Sequence, residues 1–86
     1  MVPQTKPHAG EGSSAIGRGL AIMLACAGSS NGLLFNEIRR LLGGVSPATL
    51  SRTLKSLVAE EALEHDSATA AYCAGPALRE LAGRLQ

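Results

Sequence analysis

Tryptophan is absent from this sequence, and phenylalanine and tyrosine occur once each. A surface that stacks single-stranded bases needs several aromatic rings, so Tyr72 alone makes no such platform and is assigned to packing. Cysteine is nearly as scarce. Cys26 and Cys73 stand far apart, which excludes a disulfide framework and a clustered zinc centre. Both are expected to be small buried hydrophobes in a reducing cytoplasm. His65 has no second ligand at suitable spacing and is placed on a strand surface. Charge of one sign is lacking too: the formal net charge is +1, modest for a nucleic-acid binder. The longest apolar-leaning run, Leu20 to Ala27, is far too short to span a bilayer. Met1 to Ser13 is polar and carries Pro3, Pro7, Gly10 and Gly12, the wrong make-up for a signal peptide. No glycine-rich phosphate loop, nucleophile elbow or metal pair is present, so neither an enzyme nor a cofactor is expected.

What is there is helix-forming. Apolar residues make up 45% of the 86 residues. They are mostly leucine and alanine, and β-branched residues are few, so helix should dominate one small domain. A flexible tail is expected over residues 1–13 and the domain over 14–86. Ser13 or Ser14 is placed to cap a first helix ending near Ala27. At 100° per residue Ile16, Leu20, Met23, Leu24 and Ala27 share a stripe, taken as its core face. Ile22 and Cys26 lie off that stripe and are assigned to a second contact. Gly28 to Gly32 is a loop.

The second helix should run from Leu34 or Phe35 to Leu42, with Leu34, Phe35, Ile38, Leu41 and Leu42 inward. Asn36, Glu37, Arg39 and Arg40 share its outer face, where Glu37 is spaced to pair with Arg40. Gly43-Gly44 then breaks the helix. Ser46-Pro47 is a cap followed by proline at the first helical position, the start of a third helix over about 46–60. Leu50, Leu54, Leu57 and Val58 form its buried stripe. Ala48, Ser51, Arg52, Lys55 and Ala59 form the opposite face, flanked by Thr49 and Ser56. Two helices joined by a tight glycine-containing turn make a helix-turn-helix. Beyond Glu61, Leu63–Asp66 and Ala71–Ala74 are short runs on either side of small and polar residues, the pattern of a hairpin. Gly75-Pro76 then opens a last helix with Leu78, Leu81, Ala82 and Leu85 inward. The fold class expected is mainly α (α+β): a winged helix-turn-helix with a three-helix core, a short two-stranded wing and a C-terminal linker helix.

The stretch Gly44 to Asp66, GVSPATLSRTLKSLVAEEALEHD, resembles the DNA-binding domain of the isocitrate-lyase-regulator (IclR) family of transcription regulators. Gly17 to Ile22 looks like that family's first-helix segment and Phe35 to Ile38 like its second. Tyr72 to Leu78 resembles the exit from its wing into a linker helix. About seventy residues are covered. The resemblance implies sequence-specific binding of double-stranded DNA as a dimeric regulator, of repressor type. It implies no effector site within this chain, because the family's effector-binding domain follows the linker helix. The family's wing tip often holds a glycine and a basic residue, and Ser67 to Ala71 has neither.

Double-stranded DNA binding makes specific demands on these residues. A helix fits the major groove with its N-terminal half against base edges, which offers Ala48, Thr49, Ser51 and Arg52, with Lys55 and Ser56 one turn on. Arg52 suits a bidentate pair to guanine. Ser46 and the start of the third helix suit a phosphate, and Arg39, Arg40 and Lys55 the backbone. Ser46 to Ala59 holds two basic residues and no acid. Acids cluster after it, at Glu60, Glu61, Glu64 and Asp66. A homodimer is expected through Ile22, Cys26, Leu78, Leu81 and Leu85, since two reading heads suit a two-fold operator. The rival is a winged helix used for protein contacts, or a DNA-binding fragment of a longer regulator.

Overall fold

A computed structural model describes residues 14–86; the tail expected over 1–13 lies outside the described residues. Helix α1 (Ala15–Ala27) starts where Ser14 Oγ accepts the Gly17 N–H at 3.0 Å. Helix α2 (Phe35–Leu41) begins differently, with the Glu37 carboxylate reaching back to accept the Leu34 N–H at 2.8 Å. Glu37 therefore serves its own helix terminus, not Arg40. At the other end Gly43 and Gly44 take φ of 77° and 84°, conformations that cost a side chain about 1 kcal/mol or more. Their N–H groups close on the Arg40 and Arg39 carbonyls, which satisfies the last turn and swings the chain sharply.

Helix α3 (Pro47–Ala59) follows at once. Ser46 Oγ accepts the Thr49 N–H at 3.2 Å, and Pro47 occupies the position that needs no donor. The helix ends in the same 6→1 and 5→2 bond pattern as α2, with Ala62 N–H on Leu57 and Glu61 N–H on Val58. Here Glu61, not glycine, holds the left-handed position, at φ 64°.

Strands β1 (Leu63–His65) and β2 (Tyr72–Ala74) pair antiparallel, with Leu63 opposite Ala74 and His65 opposite Tyr72. The His65 and Tyr72 rings stack 4.2 Å apart. The turn between them has no Asn-Gly pair. Asp66 Oδ1 accepts the Ala68 and Thr69 N–H groups, and Ala70 takes φ 65°. Leu33 and Tyr72 exchange both backbone hydrogen bonds, so the segment entering α2 is laced to the hairpin. Helix α4 (Pro76–Arg84) leaves β2 through Gly75.

Ile22, Cys26, Ile38, Leu42, Leu50, Leu54 and Leu63 form one buried cluster, with Phe35, Val45, Leu57, Val58 and Tyr72 packed against it. The described residues thus form a small compact α+β domain of four helices and a two-stranded antiparallel sheet. No helix among the described residues is long and apolar enough to cross a membrane.

Helix α1 is turned differently from its expected setting. Ile22 and Cys26 are each 1% exposed, whereas Ile16, Leu20 and Leu24 are 84%, 48% and 64% exposed. The stripe taken as the core face looks outward, and the residues assigned to a partner are the core. Gly19 lies on the same side as the two core residues. It is buried, and a Cβ there would lie 3.7 Å from Leu57 Cδ2. That is an ordinary van der Waals distance, so α1 and α3 pack there at normal range. Helix α4 also departs from expectation. Leu78 is half-buried, but Leu81, Ala82 and Leu85 are exposed and form no core face. In α2, Leu34 and Leu41 are likewise exposed rather than inward.

Candidate nucleic-acid interface

The exposed side of α3 is built as its periodicity requires. Leu50 and Leu54 are buried, so Ala48, Arg52 and Lys55, on the opposite side, stand in solvent. Ser51 is half-exposed beside them. Thr49 and Ser56 flank the face on the side nearer α1. Ser46 donates its hydroxyl to Thr49 Oγ1 at 2.9 Å, and Thr53 Oγ1 donates to the Thr49 carbonyl at 2.9 Å. Ser46 and Thr49 are therefore tied to each other at the head of the helix. That holds its first turn rigid and uses part of their hydrogen-bonding capacity.

Six of the seven Lys and Arg side chains among the described residues divide into two groups. Arg40, Arg52 and Lys55 enter no hydrogen bond or ion pair among the described residues. Arg39, Arg79 and Arg84 are already engaged. Arg79 donates to the Ala74 carbonyl at 2.7 Å and lies 3.8 Å from Glu64, and Arg84 pairs with Glu80 on its own helix. Arg39 was expected to stand ready for the DNA backbone. Instead it is half-buried, and its Nε donates to the Val45 carbonyl at 2.8 Å, across the turn that precedes α3. The reason is the turn itself. Gly43 and Gly44 bring Val45 back alongside α2, and an arginine two turns before it reaches the carbonyl. Arg39 still lines an open groove with Asn36, Arg40, Gly43 and Gly44, but its first role is to brace the turn.

Charge is segregated along the chain. Residues 14–59 carry Arg18, Arg39, Arg40, Arg52 and Lys55 against one acid, Glu37. Residues 60–86 carry Glu60, Glu61, Glu64, Asp66 and Glu80 against Arg79 and Arg84. A net charge near zero thus conceals a basic three-helix half and an acidic hairpin half. The acidic half has its own open groove, lined by Glu61, Glu64, His65 and Asp66 with Leu63 and Pro76. A phosphate backbone is attracted to the first half and repelled by the second.

Sequence reasoning passed over one site residue. Arg18, on α1, lines an open groove of about 380 Å³ together with Arg52, Thr49 and Ser56 of α3. Its spacing gave no signal, because only the packing of α1 on α3 brings it there. The residues expected at a dimer contact are dispersed: Ile22 and Cys26 are in the core, Leu78 is half-buried, and Leu81 and Leu85 are exposed. No protein-family model, curated protein or solved structure matches the chain.

Proposed function

We propose that this chain is a winged-helix DNA-binding domain of a transcription regulator, with α3 lying in the major groove. The observation that carries this reading is the set of uncommitted cations, Arg52 and Lys55, on the exposed face of a helix that follows a braced, glycine-built turn. Arg52 lies where a guanidinium meets a guanine edge, and one such bidentate pair discriminates by about 1–3 kcal/mol. Lys55 and Arg40 serve phosphates, fixing register without reading sequence. Ser46, Ala48, Thr49, Ser51 and Ser56 line the same approach. The acidic hairpin stands clear of the minor groove in this arrangement, and the helices carry the binding.

Binding as a homodimer belongs to the same reading. The apolar surface available to a second copy is Ile16, Leu20 and Leu24 on α1, with Leu81 and Leu85 on α4. Protein contact as the sole function is the second reading, favoured by these same exposed leucines and by the acidic hairpin.

A salt-titrated binding assay on a random duplex separates the two. The native chain should bind at low salt with an affinity that falls as salt rises. An Arg52→Ala, Lys55→Ala double variant should show a slope smaller by about 1 or more. Absence of binding by the native chain at low salt defeats the proposal in favour of protein contact.

A further inference from the structure

The groove between α1 and α3 adjoins the base-reading face and shares Thr49, Arg52 and Ser56 with it. Ala15, Arg18 and Gly19 form its α1 wall; Thr49, Arg52, Thr53, Ser56 and Leu57 form the other. No acidic residue lines it among the described residues. It is lined by two arginines from different helices, Arg18 and Arg52, together with the hydroxyl residues Thr49 and Ser56. That combination suits a phosphodiester group, whose oxygens accept from forked guanidinium and from hydroxyl donors. The groove also begins where the exposed face of α3 ends, since Arg52 belongs to both.

We propose that this groove seats the phosphodiester strand that flanks the base-reading face, extending the DNA contact onto α1 through Arg18. The assignment rests on the DNA-binding reading above. A major groove is bounded by two backbones. The arginine-bearing groove at the α2–α3 turn serves one, and the α1–α3 groove serves the other. Arg52 bridges reading and anchoring, while Arg18 only anchors. Substituting Arg18 therefore weakens binding uniformly across sequences, without relaxing specificity.

The test measures fluorescence anisotropy of a labelled random duplex over a salt series with the full chain. Three variants are compared with the native protein: Arg18→Gln, Arg18→Lys and Ala15→Glu. Loss of one phosphate contact lowers the salt slope by about 0.9. Arg18→Gln should show that loss and Arg18→Lys should restore the slope. Ala15→Glu puts a carboxylate at the groove mouth and weakens binding roughly fivefold. Its thermal midpoint should hold or rise, because an acid suits the first turn of a helix. A merely structural Arg18 would not move with Ala15→Glu. If the native chain binds while Arg18→Gln and Ala15→Glu keep its slope and affinity, the groove is not a strand seat, whatever α3 does. If the native chain binds no duplex, the DNA-binding reading fails and this assignment fails with it.

Discussion

The same chemical change at two glycines should have opposite effects. Gly75 is extended backbone, with φ −93° and ψ −179°, so no left-handed conformation protects it from substitution. Space does. A Cβ at Gly75 would press on the Glu61 carbonyl oxygen and come within 2.9 Å of the Leu63 backbone nitrogen and carbon. These are main-chain atoms of the α3–β1 junction, unable to swing aside as a side chain tip would. The junction is also where Gly75 N–H bonds the Ala62 carbonyl at 2.8 Å and Ala77 N–H bonds that of Glu61 at 2.9 Å. Overpacking of this kind costs about 1–3 kcal/mol, and a weakened hydrogen bond adds about 1 kcal/mol. The lost freedom of the unfolded chain offsets about 0.4–1 kcal/mol. Gly75→Ala should therefore destabilise by about 2–3 kcal/mol. For a domain of this size that lowers Tm by roughly 10–20 °C. Gly83, inside α4, has nothing within 4 Å of its would-be Cβ, and Gly83→Ala should stabilise by about 0.5 kcal/mol. Urea unfolding followed by far-UV circular dichroism gives both numbers. Equal effects of the two substitutions, or a Gly75→Ala within a few tenths of a kcal/mol of native, would refute the packing of α4 against the α3–β1 junction.

Two further outcomes follow from the core. Burial, with the Cys73 thiol as the lesser cause, pushes the Cys26 thiol up from 9.0 to about 11. A folded pKa above the unfolded one means stability fully present below pH 9 and lost as pH climbs toward 11, by about 3 kcal/mol at most. Urea midpoints from pH 8 to 11 should fall more steeply for the native chain than for Cys26→Ala; parallel curves would remove Cys26 as the cause. The setting of α1 is checked by a pair of substitutions: Ile22→Ala should cost about 2–4 kcal/mol, while Leu24→Glu should stay within about 0.5 kcal/mol yet shift any dimer toward monomer in sedimentation. A costly Leu24→Glu in a monomeric protein would put the expected stripe back in the core.

The legible part of the fold was its punctuation. Ser46-Pro47, Gly43-Gly44 and Gly75-Pro76 carry strong local physics, and each lies where it was placed. The Leu50–Leu54 stripe was equally plain, since only one side of α3 is apolar. Helix α1 was not, because it has two apolar faces about a third of a turn apart and periodicity does not rank them. Arg39 was misplaced for a related reason. A charge on a helical wheel points outward until a turn delivers a carbonyl to it, and the turn's path is a tertiary fact. Arg18 needed the packing of two helices before it could be seen at all.

The paired bonds between Leu33 and Tyr72 bear on how portable the α2–turn–α3 unit is. They close a loop of chain that contains that entire unit. A peptide cut at the ends of α2 and α3 would lose this clasp, along with the hairpin strand that covers the core. Transplanting the unit into another scaffold therefore means taking residues 33 to 74 as one piece, into a host that replaces the Ile22 and Cys26 packing of α1. Exchange of helical segments alone should succeed only between hosts that already close the same ring.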